Sequence, residues 1–175
     1  MAGVESLNPQ YSQKPGFFKC VGKGITRTLK CVVPVWGRSE IGDEFVKQNQ
    51  INENIKDIKT FGKYDSENDK KTPLFKRYAS GFAASSLVAP IIGTYATGLH
   101  KVQHEQLKDE IEALKVGEKP LPAKKPGVFK TYFIGLWEKV KRTLPVAHAY
   151  VTGKYAIEID NMKNDLAVIN SSKKA

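Results

Sequence analysis

A proline followed eight residues later by a glycine occurs three times in this chain, at Pro34/Gly42, Pro90/Gly98 and Pro145/Gly153. No other feature constrains the fold as strongly, because the surroundings of each pair recur with it. Nine residues beyond each glycine an apolar residue opens a triple at plus four and plus seven: Ile51/Ile55/Ile58, Leu107/Ile111/Leu114 and Met162/Leu166/Ile169. Upstream of each proline stands a Phe-Lys pair, Phe18-Lys19, Phe75-Lys76 or Phe129-Lys130, and Pro15, Pro73 or Pro126 opens each copy. Recurrence at a fixed period of about 55 residues marks tandem structural units. The expected fold is all-α, with three tandem helix–Pro/Gly elbow–helix repeats packed as a bundle or short array.

The divisions follow from these spacings. A polar arm occupies 1–13, repeat one 14–60, a linker 61–72, repeat two 73–115, a proline-rich linker 116–126, repeat three 127–170 and a tail 171–175. In repeat one, Phe18, Val21, Ile25, Leu29 and Val32 recur at helical spacing, and Lys19, Lys23, Arg27 and Lys30 form a second stripe beside them. Pro34 then disfavours helix at Val33, and Gly42 gives the backbone room to turn. A second helix is expected from about Asp43, polar except for its isoleucine seam. Phe129, Tyr132, Phe133, Leu136, Trp137 and Val140 give repeat three a broad apolar face. The three first helices are therefore expected to build a shared core, with the central one most buried.

Tyr78 to Leu99 carries no charged residue and is long enough to span a bilayer. Against spanning, much of the run is Ala, Ser, Thr and Gly, and the matching helices of the other repeats carry several lysines and arginines. Lys and Arg outnumber Asp and Glu by 28 to 18, for a net charge of +10. That balance favours an acidic partner: nucleic acid, anionic lipid or an acidic protein surface. Two cysteines, Cys20 and Cys31, are too few for a disulfide framework, and three turns of one helix would keep them apart. Free thiols point to a reducing intracellular compartment, either the cytoplasm and its cytoskeleton or a mitochondrial membrane. Met1 to Gln13 has neither an apolar core nor an arginine-rich amphipathic run, so no secretory or transit signal is expected.

Little in the chain promises chemistry. His100 and His104 have a metal-ligand spacing, but no further ligands complete a set, and solvated histidines are expected. Gly22-Lys23-Gly24 lacks the Ser or Thr, the leading glycine and the preceding strand of a phosphate loop. Cys20 has nearby lysines but no histidine base in its sequence neighbourhood, so a packing role is expected. No catalytic, metal-binding or cofactor-binding residue is assigned, and neither an enzyme nor a small-molecule substrate is expected.

The functional candidates are the three basic-proline-aromatic boxes. Their residues are Lys14, Phe18 and Lys19; Lys71, Phe75, Lys76 and Arg77; and Lys125, Phe129 and Lys130. The expectation is a non-catalytic structural component of a large assembly, docking repeated basic faces on acidic protein subunits or an anionic membrane. The alternatives are a single-pass accessory subunit of a membrane complex, with 78–99 spanning, and a nucleic-acid-binding module, which no recognisable motif supports.

Overall fold

A computed structural model of the chain describes residues 13–31, 34–64, 72–85, 90–118 and 126–172. Among these it is all-helical, with no strand. Short and long helices alternate: α1 (Phe17–Cys31), α2 (Pro34–Phe61), α3 (Leu74–Ser85), α4 (Pro90–Val116), α5 (Val128–Lys141) and α6 (Pro145–Ser172).

Pro34, Pro90 and Pro145 are each the first residue of a long helix. There the missing N–H costs nothing, and the fixed φ already suits the helix. Each proline thus marks a helix start, and the expected start of the second helix near Asp43 moves back to Pro34. Gly42, Gly98 and Gly153 consequently lie inside helices rather than in an elbow. The turning glycines are Gly62 and Gly117, with φ of 76° and 77°, which close α2 and α4.

The core is built from the second helices. Ile51, Ile55 and Ile58 of α2, Leu107 and Ile111 of α4, and Ile159, Met162, Leu166 and Ile169 of α6 form one buried cluster, with Leu114 partly buried against it. Tyr64, expected in a polar linker, also belongs to it, and its backbone is held by the Asn170 side chain through two hydrogen bonds. The expectation that the first helices supply the core is overturned. The inward residues of α1 are Cys20, Gly24 and Arg27, and those of α5 are Thr131, Gly135 and Glu138. Phe18, Ile25, Leu29, Phe129, Phe133, Trp137 and Val140 face outward instead. Periodicity locates a stripe on a helix without saying which stripe meets the protein.

Each short helix lies against one long helix: α1 on α6, α3 on α2 and α5 on α4. Gln13, ahead of α1, meets Asn161 of α6, while Cys20 meets Gly153 and Gly24 meets Ala149, so α1 and α6 run antiparallel. At each crossing two helical glycines let the backbones touch. A Cβ on Gly42 would overlap the Arg77 carbonyl oxygen, and one on Gly81 would overlap that of Arg38. Gly98 and Gly135 stand likewise to Thr131 and Thr94, and Gly153 and Gly24 to Cys20 and Ala149. Contacts this close are made by small residues and Cα–H···O approaches, as in small-xxx-small helix pairs. The N-terminal half of each long helix therefore carries a short helix, while its C-terminal half carries the core seam.

Tyr78–Leu99 is not one helix. α3 ends at Ser85 and α4 begins at Pro90, with 86–89 outside the described residues. No helix among the described residues is long and apolar enough to cross a membrane.

Candidate docking surface

The three box phenylalanines begin the short helices and have almost nothing packed on them. Phe18 is 87% exposed, Phe75 80% and Phe129 83%. The following lysines, Lys19, Lys76 and Lys130, are exposed too, as is Lys14. Exposure arises because the crossing glycines Gly24, Gly81 and Gly135 set which side of each short helix faces inward. A Phe-Lys pair placed five or six residues earlier falls largely outside that contact. Lys71 and Lys125 lie outside the described residues.

Arg77 behaves differently from its box. It is half-buried, with its guanidinium 3.2 Å from Asp43 of α2. Part of the basic stripe of α1 is likewise engaged with acids of the long helices. Arg27, 7% exposed, is ion-paired with Glu40 and Glu44, Lys30 bonds Glu40 at 3.0 Å, and Lys23 lies 4.0 Å from Asp160. The Lys30 and Arg27 cations hold the Glu40 carboxyl below its ordinary range although burial alone would raise it. Lys19, Lys23 and Lys30 of that stripe remain exposed, and Arg27 is the one withdrawn into the fold.

Around the boxes the short helices present apolar residues that the sequence had assigned to the core. Ile25 and Leu29 on α1, and Phe129, Phe133 and Trp137 on α5, form continuous exposed ridges at i, i+4 spacing, flanked by Leu136 and Val140. Trp36, at the start of α2, is 60% exposed. Two sequence signals could have located this face. Small residues recur four apart at Cys20/Gly24 and Thr131/Gly135, and α1, α3 and α5 carry nine basic residues against one acid, Glu138. That acid is buried and bonds Lys141.

The histidines are not solvated as expected. His104 is fully buried, its Nε2 2.9 Å from Glu158, whose other oxygen accepts from Lys108 at 2.9 Å. Burial alone would raise the Glu158 carboxyl, but the hydrogen bonds from His104 and Lys108 outweigh it and hold the pKa at about 2. His100 packs between Phe45 and Tyr155, and burial, helped by His104 and Arg142, lowers its pKa to about 4. These groups tie α4 to α6; among the described residues no cluster of three or more His, Cys, Asp or Glu could hold a metal. Cys20 is buried as a free thiol, in the packing role expected of it, and burial raises its pKa.

Compared with protein families, curated proteins and solved structures, the chain matches none of them.

Proposed function

We propose that this protein is a non-catalytic structural component built of three related helical units, which docks on an acidic surface through its exposed Phe-Lys corners. The observation that carries this reading is the common state of Phe18, Phe75 and Phe129, each more than three-quarters exposed beside an exposed lysine. A water-facing helix start gains nothing from a bare phenylalanine. Three of them at matching positions suit a partner that covers all three. Related units are supported by three glycine crossings formed by corresponding residues, in which the short helix of each unit sits on the long helix of the preceding one and α1 returns to α6.

The test is charge reversal of Lys19, Lys76 and Lys130 to Glu, singly and together, followed by velocity sedimentation of gently lysed source cells. Wild-type protein should travel in a large, salt-dissociable assembly. The triple variant should remain near the top of the gradient, with each single change causing a partial shift. Co-sedimentation of the triple variant with wild type would contradict docking through the three corners.

A further inference from the structure

The short helices are amphipathic in the reverse sense to that of a water-exposed domain. Their inward residues are small, polar or charged (Cys20, Gly24, Arg27, Gly81, Thr131 and Gly135, with Glu138), and their large apolar residues face out. Helices in water normally associate by burying large side chains, whereas here α1, α3 and α5 are held by backbone contact at glycine. That is the economy of helices whose outer surroundings are as apolar as their partners. A continuous ridge such as Phe129/Phe133/Trp137 is also more than scattered surface hydrophobicity.

From this face we infer that the acidic surface is an anionic lipid membrane, with the outer sides of α1 and α5 in the headgroup–acyl boundary; the inference rests on the docking reading above. Charge complementarity favours lipid. These helices expose basic groups and no acid, Lys19 and Lys130 flank the apolar ridges, and tryptophan and phenylalanine suit the interface. Helix length agrees with a boundary position: at 15 and 14 residues, α1 and α5 are each about 20 Å long, short of the ≈30 Å hydrocarbon core.

The chain carries two tryptophans, Trp36 and Trp137, 60% and 61% exposed, which serve as native probes. Purified full-length protein is mixed with phosphatidylcholine vesicles with or without phosphatidylserine, some carrying brominated acyl chains. Co-flotation is measured together with tryptophan emission. The expected result is flotation with the anionic vesicles only, a blue shift and strong bromine quenching. Replacing Phe129 and Phe133 by Ser, both at exposed positions, should reduce vesicle affinity at least tenfold while leaving the circular dichroism unchanged. Flotation without blue shift or quenching would overturn the inference, leaving an electrostatic contact. Absence of flotation, with the salt-dissociable assembly still present in lysates, would overturn it in favour of an acidic protein surface while sparing the docking reading. If neither vesicle binding nor the assembly is found, both fall.

Discussion

Gly42 and Gly81 face each other where α2 crosses α3, each occupying the only space that lets the other's helix approach its backbone. The atoms a methyl group would strike are main-chain carbonyls, which cannot rotate away as a flexible side chain could. Gly42→Ala should therefore force the helices apart and cost about 1–3 kcal/mol, the usual range for overpacking. Gly98→Ala and Gly153→Ala should cost similar amounts, because their crossings are built alike. Urea unfolding of the three variants checks this, with Gly22→Ala, where a Cβ meets open space, as the control.

Acid should weaken the fold in two successive windows. His100 has a folded pKa of about 4, against an ordinary 6.5. As pH falls below 6.5 the unfolded chain gains a proton that the folded one refuses until about 4, and stability drops across that interval. The loss between pH 7 and pH 5 should be up to about 2 kcal/mol. Glu158, ionised in the fold down to about 2 and ordinarily titrating at 4.5, contributes stability that is fully present above 4.5 and lost between 4.5 and 2. Unfolding free energies measured from pH 7 to pH 3 should show both declines. His100→Gln should flatten the upper one and leave the lower.

Asn170 closes the end of the bundle. Its amide oxygen accepts from the Tyr64 N–H at 3.0 Å, and its amide nitrogen donates to the Tyr64 carbonyl at 2.9 Å. Asn170→Ala leaves two buried backbone groups without these partners and should cost about 2 kcal/mol or more. Hydrogen exchange at the Tyr64 amide should quicken markedly, while protection of the Ile55 amide should fall only by the global loss of stability.

How much of this was legible in the sequence depended on whether one helix or two decided the matter. The seams Ile51/Ile55/Ile58 and Leu107/Ile111/Leu114 were readable because each is the apolar face of an otherwise polar segment, and burial is its one outlet. Pro34, Pro90 and Pro145 were readable as boundaries from local sterics, though they begin helices rather than bend them. Gly42 stands equally for a turn or for close approach, and only the opposing helix distinguishes these. Ile25, Leu29 and Phe133 read as inward because apolar periodicity carries no sign. His104 looked solvated because Glu158, fifty-four residues away, is what fixes it. Recurrence and basic charge mark the candidate docking corners, but neither shows that Arg77 pairs with Asp43.

The most direct measurement of the central claim is hydroxyl-radical footprinting of the purified chain and of the same chain in its native particulate fraction. Free protein should be oxidised heavily at Phe18, Phe75, Phe129 and Trp137 while Tyr64 and Met162 stay protected, and in the particulate fraction the first four should become protected together. Phenylalanines already protected in the free protein, or labelled equally in both states, would contradict a chain that docks through its outward apolar corners.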